Sequence, residues 1–135
     1  MLQQAKASAA MPASDLARAR AFYEGTLGFK PDPEVADDQG VMYRCGDGTA
    51  FLVFLSSGAS SGTHTQLTFE VDDVDAELRE VRDKGVALED YDLPSIKTEG
   101  GIAHLPDGTG GFFKDTEGNL IAIFQRAQVP SPATS

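Results

Sequence analysis

The sequence predicts an α+β domain made of two consecutive copies of a β-α-β-β-β unit. Three observations carry this. Two stretches with helical spacing each open on an aspartate cap and close on a glycine. Between them, apolar residues alternate with period two and are punctuated by Gly, Asp and Asn turns. The order of these elements then repeats, strand, capped helix and three strands in each half.

The first strand is expected within Lys6–Pro12. Ser14-Asp15 then caps a helix over about 15–26, with Leu16, Ala19, Phe22, Tyr23 and Leu27 on one face and Gly28 as its stop. Strands follow at about 29–36, 39–46 and 49–56, joined by turns at Asp38-Gln39-Gly40 and Gly46-Asp47-Gly48. The run from Ser56 to Gly62 is rich in Gly and Ser and reads as a linker. The alternating segment from Gln66 to Val71 restarts the pattern. Asp72-Asp73 caps a helix over about 73–84, with Val74, Leu78 and Val81 inward and Gly85 at its end. Strands are expected at 86–92, 98–105, 111–115 and 119–125, with Pro94 interrupting the first pair. The expected organisation is a disordered N-terminus at 1–5, a first module at 6–57, a linker at 58–63, a second module at 64–126 and a disordered tail at 127–135.

Composition narrows the function classes. A formal net charge of −10, with no basic run, argues against nucleic acid, whose binding needs clustered Lys and Arg. No apolar run is long enough to cross a membrane, and the first residues lack the charged head and apolar stretch of a signal peptide. Cys45 is the only cysteine, so no intrachain disulfide forms. A cytoplasmic location is the expectation, with no membrane partner. No Ser-x-x-Lys, nucleophile-elbow or phosphate-loop pattern is present, and no carboxylate pair stands out as a general acid and base.

Three motifs resemble those of the vicinal oxygen chelate superfamily, which includes glyoxalases, bleomycin-resistance proteins and extradiol dioxygenases. Ser14-Asp15-Leu16, Phe22-Tyr23 and Leu27-Gly28-Phe29 resemble its first-helix signature. Phe69 to Asp75 resembles its second-module entry. Phe113-Lys114-Asp115-Thr116-Glu117-Gly118-Asn119 resembles its F-x-D-P-x-G-N turn, with threonine where proline is usual. The resemblance spans about residues 6–126. It implies a glyoxalase-like curved mixed sheet around a cleft, commonly in a homodimer whose clefts form within or between chains.

The resemblance also implies where metal ligands would lie, on the first and last strands of each module. Those positions map to Ser8, Leu52, Gln66 and Ala122. Leu and Ala cannot ligate, Ser is a weak neutral donor, and Gln66 alone holds no divalent ion. The expectation is therefore no metal and no cofactor at the standard site. A displaced site from His64, Glu70 and His104 is the alternative, and Cys45 is read as a small strand residue. Alternation extends the mapped positions to a face carrying Ser8, Leu52, Phe54, Gln66, Thr68, Glu70, Leu120, Ala122 and Phe124, apolar and aromatic with a few polar groups. Such a face fits a small-molecule ligand, antibiotic-like in the manner of the family's sequestering members, and an ionised Glu70 would favour a cationic group. The competing readings are a metal-dependent lyase, isomerase or dioxygenase with a displaced site, and an interaction module whose core fills the cleft.

Overall fold

The computed structural model describes residues 2–58 and 60–127. Apart from Ala127, the expected disordered tail lies outside the described residues, as does Met1 of the expected N-terminal segment. The elements are β1 (Ala9–Ala13), α1 (Leu16–Arg20), β2 (Pro31–Ala36), β3 (Gly40–Arg44), β4 (Ala50–Leu55), β5 (Thr65–Glu70), α2 (Val74–Asp83), β6 (Thr98–Glu99), β7 (Ile102–Leu105), β8 (Gly108–Lys114) and β9 (Leu120–Arg126). The strands assort into a four-stranded sheet, β1-β4-β3-β2, and a five-stranded sheet, β5-β9-β8-β7-β6. Each repeat thus makes its own sheet, and the α+β class read from the sequence holds.

Contacts divide the chain into two compact units, Met1–Leu67 with Lys114–Leu120, and Thr68–Phe113 with Ile121–Ser135. In the first, β1 runs parallel to β4, and β3 and β2 continue the sheet antiparallel. Met11, Val41 and Val53 are fully buried on one face of it. An aromatic cluster of Tyr23, Phe29, Tyr43 and Phe51 joins helix to sheet, with Tyr23 centred 5.4 Å from Phe51 and 5.6 Å from Tyr43.

The first helix differs from the regular one expected over 15–26. Asp15 caps it, accepting from Arg18 N at 3.0 Å, but after Arg20 it widens into a π turn over Ala21–Thr26. Leu27 N reaches back five residues to Phe22 O at 2.9 Å. The widened turn leaves Phe22 and Tyr23, neighbours in sequence, both buried. Tyr23 Oη donates to Asp115 Oδ2 at 2.6 Å, a tie that periodicity could not show.

The turn after β8 holds the beginning of α1. Asp115 Oδ1 accepts from the backbone N–H groups of Glu117 and Asn119, both at 2.8 Å, and Gly118 completes the turn at φ 84°. Glu117 then points its carboxylate at the start of α1. Oε1 accepts from Ser14 N at 3.0 Å and Asp15 N at 3.1 Å, and Oε2 accepts from Arg18 Nε at 2.7 Å. Asn119 Nδ2 donates to Pro12 O at 3.0 Å and Asp115 Oδ2 at 2.7 Å. The hydrogen bond from Arg18, helped by the Asp15 N–H, lowers the Glu117 pKa from 4.5 to about 2 against the opposing effect of burial. The Glu117 side chain is 1% exposed and that of Arg18 51%, so solvent screens part of the ion pair but not the backbone donors.

In the second unit, Asp73 caps α2 by accepting from Ala76 N at 3.1 Å, and Gln125 Oε1 accepts from Val74 N at 2.9 Å. Val74, Leu78 and Val81 form the buried stripe. Leu78 lies where Gly111 has no side chain, since a Cβ there would stand 2.6 Å from Leu78 Cδ2. Two strand expectations change. Residues 86–92 make only isolated bridges, Leu88 to Phe113 and Asp92 to Lys97, because β7 occupies the edge of β8 as far as Gly111. The segment 98–105 folds back on itself as β6 and β7 around Gly100 and Gly101, at φ 59° and 82°. Strand β8 starts at Gly108, earlier than expected, because its glycines lie under larger neighbours and read as a loop.

Glu117→Ala leaves the Ser14 and Asp15 donors unpaired and is expected to cost roughly 2–3 kcal/mol in urea denaturation. Because the folded-state pKa is lowered, the contribution of Glu117 is present above the unfolded value of 4.5 and lost as pH falls towards about 2. A Glu117→Gln variant should therefore close its stability gap to the wild type across that pH window; an unchanged gap would remove Glu117 as the acid-sensitive cap.

Candidate functional site

The site residues expected from the sequence fall on both units, and each group has its own geometry. On the first sheet, Ala10 pairs with Leu52 and Leu52 with Met42, while Pro12 pairs with Phe54 and Phe54 with Gly40. Leu52 and Phe54 are half-buried, whereas Phe51 and Val53, which alternate with them, are buried. Period-two alternation thus placed Leu52 and Phe54 on the more open face. Ser8 stands exposed just ahead of β1, and Leu120 is buried. Gln66 is half-buried near the start of β5, and its Oε1 accepts the Ser60 hydroxyl proton.

In the second unit, Thr68 and Glu70 are exposed on β5, Ala122 is buried at 8% exposure, and Phe124 is half-buried. The Phe124 ring lies over glycine backbone. A Cβ on Gly108 would come 2.4 Å from its Cζ, and one on Gly110 3.5 Å from its Cδ1. Arg126 stands 5.9 Å from the ring centroid and donates to Glu70 Oε1 at 2.7 Å. The Glu70 charge is therefore matched within the unit, which weakens the expected pull on a cationic ligand.

The family's metal is tested by donor chemistry. Ser8 is exposed, Leu52 and Ala122 carry no donor atom, and Gln66, whose oxygen already accepts from Ser60, is left as a single neutral donor. These residues do not fit a divalent ion. The displaced alternative is no better assembled. His104 Nδ1 lies 3.4 Å from Thr109 Oγ1, Glu70 pairs with Arg126, and no three His, Cys, Asp or Glu side chains converge among the described residues. Burial raises the Cys45 thiol pKa, which disfavours the thiolate.

The structure also shows hollows that the sequence reading missed. One of about 400 Å³ is lined by Tyr91, Lys97, Thr98, Glu99, Ile102 and His104, and a neighbouring one of about 310 Å³ by Val74, Asp75, His104, Thr109 and Gln125. The first forms because Asp90 Oδ1 accepts from Thr98 Oγ1 at 2.7 Å and Gly101 N at 2.8 Å, which bends residues 90–101. Ser60 was also missed, since a serine in a Gly/Ser linker gives no local sign of a partner on the next strand.

No curated protein matches the chain. Among solved structures, a bleomycin-binding protein from bleomycin-producing Streptomyces verticillus, complexed with copper(II)-bleomycin, is 22% identical over 95% of this chain and 100% of its own, at TM-score 0.70. An antibiotic-binding protein from Streptomyces sp. CB03234 is 24% identical over 94% and 99%, at TM-score 0.68. A lactoylglutathione lyase from Agrobacterium tumefaciens is 22% identical over 90% and 93%, at TM-score 0.65. At these identities the likeness is one of fold, and that fold serves binding protein and enzyme alike. A family profile decides membership, matching residues 7–123 and so taking in both repeats and the capped turn. The chain belongs to the Glyoxalase/Bleomycin resistance protein/Dioxygenase superfamily.

Proposed function

We propose that this chain is a cytoplasmic binding protein that takes up a small organic molecule, antibiotic-like in kind, without a metal ion. The observation that carries the reading is the chemistry at the four positions where the family places its metal. Two side chains there are aliphatic, one is an exposed serine, and the glutamine oxygen is already bonded to Ser60. An open apolar strip on the first sheet, Leu52, Phe54 and Met42, supports it by offering surface to an apolar or aromatic body. Ser8 and Gln66 supply polar contacts in the first unit, where Leu120 also belongs to the proposed lining, and Thr68, Glu70, Ala122 and Phe124 are the proposed ligand-facing residues of the second unit taken by itself. The antibiotic-binding neighbours support the ligand class by analogy of fold.

A thermal-shift screen of aromatic and cationic compounds tests the reading. A hit at a hundredfold excess over its Kd stabilises the fold by about 2.7 kcal/mol. Leu52→Glu, at a half-buried position of the apolar strip on the first sheet, should abolish the shift while the protein stays folded. Hits that survive the substitution place the ligand elsewhere. Metal content is the second test. Protein purified without chelator should contain no stoichiometric zinc, nickel, manganese or iron, and a chelator-sensitive activity restored by metal would favour the lyase, isomerase or dioxygenase reading instead.

We further propose a homodimer. The exposed Val35 and Leu55 leave apolar strand surface that a second copy can cover. Light scattering should give twice the 14.3 kDa chain mass at micromolar concentration, and a monomeric mass there would exclude it.

A further inference from the structure

The side-chain amide of Gln66 turns its oxygen towards the linker. Gly62 N donates to Ser60 Oγ at 3.3 Å, and Ser60 Oγ donates in turn to Gln66 Oε1. A serine hydroxyl has one proton to give. Ser60 Oγ accepts from Gly62 N–H with one of its two lone pairs and donates its own proton to Gln66 Oε1, so the glutamine turns its carbonyl oxygen towards Ser60. Its Nε2 then carries two N–H donors that have no partner among the described residues, and it is not a buried atom. The start of this chain is rigid. Gly62 is buried at φ 70°, and a Cβ there would meet Gly118 O at 3.0 Å and Lys114 Cε at 3.1 Å. The linker backbone is thus pressed against the turn that caps α1.

A metal ion binds a glutamine through oxygen, and an ammonium group also seeks oxygen. At position 66 the oxygen faces Ser60, and the NH₂ group is the part left without a protein partner among the described residues. We propose that Ser60 is a positioning residue which holds the Gln66 NH₂ group outward, so that this position selects a neutral organic ligand with a hydrogen-bond-accepting oxygen, such as a ketone or amide carbonyl. The inference rests on the small-molecule reading above and adds the functional group that the ligand presents.

Three tricyclic probes of matched shape separate the possibilities in titrations of the full chain, namely 9-fluorenone with an accepting carbonyl, fluorene with no polar atom, and 9-aminofluorene as its ammonium. Fluorenone is expected to bind about tenfold more tightly than fluorene, the size of one net hydrogen bond. Ser60→Ala should remove that preference while leaving fluorene affinity unchanged, and Ser60→Thr, which keeps the hydroxyl, should restore it. Gln66→Glu should invert the preference towards the ammonium. In ¹⁵N spectra of the free protein, the Gln66 amide proton pair should shift in Ser60→Ala and return in Ser60→Thr. If Ser60→Ala weakens fluorene and fluorenone equally, Ser60 is merely structural and the proposal falls. If fluorenone binds no better than fluorene, the donor assignment falls while the pocket reading stands. If none of the three binds, both fall together.

Discussion

The structure depends on one carboxylate held in place by a distant backbone. Glu117 sits in the turn between β8 and β9 and satisfies the N–H groups of Ser14 and Asp15, which open α1. Helix starts need such acceptors, and local side chains usually supply them. Here the local cap, Asp15, serves the Arg18 N–H, and the Ser14 and Asp15 N–H groups are served from 103 and 102 residues away. Asp115 and Asn119 make the turn stiff enough to do this. Asp115 alone gathers the Tyr23 hydroxyl, two backbone N–H groups and the Asn119 amide. Burial, with the charge and hydrogen bond of Asp115 behind it, raises the Tyr23 pKa far above the ordinary phenol value and keeps the donor in place.

Local physics made much of the fold legible. Both helices start within a residue of their aspartate caps, and the two-residue period of β4 separates Leu52 and Phe54 from the buried Phe51 and Val53. What escaped the sequence has a common cause. The π turn, the Glu117 cap and the glycine-rich β8 each depend on a partner remote in sequence. Glycine carries no periodicity, so Gly108 and Gly110 read as a turn ahead of the expected strand, although both lie within β8 under Phe124. Gly100 and Gly101 failed in the opposite sense, lying inside an apparent strand that they fold into a hairpin.

The expected site residues show the same division. Leu52 and Phe54 share a face of β4 as alternation expected, but Ser8 lies ahead of β1, β9 is buried without alternation from Leu120 to Ile123, and no hydrogen-bonding state could be read from the sequence. Glu70 looked like a free carboxylate and is matched by Arg126, which also stands over the Phe124 ring. Gln66 looked like a weak metal donor and has its oxygen engaged by Ser60. Pairing rather than position decides what each group offers a ligand, and pairing is a property of the folded chain.

Ribosomal synthesis meets the Glu117 cap in an awkward order. When α1 leaves the exit tunnel, the carboxylate that completes its start has not been translated, and almost the whole chain must follow first. The first repeat therefore emerges with the backbone donors of Ser14 and Asp15 still turned to water, and a lone helix that short is marginal. Closure of the last hairpin is a late event that completes the earliest helix, so the nascent repeat gains its full order only when the C-terminal strands arrive. Fusion partners or stalled translation that hold back residues 114–120 would leave the chain's beginning, rather than its end, as the segment exposed to proteases.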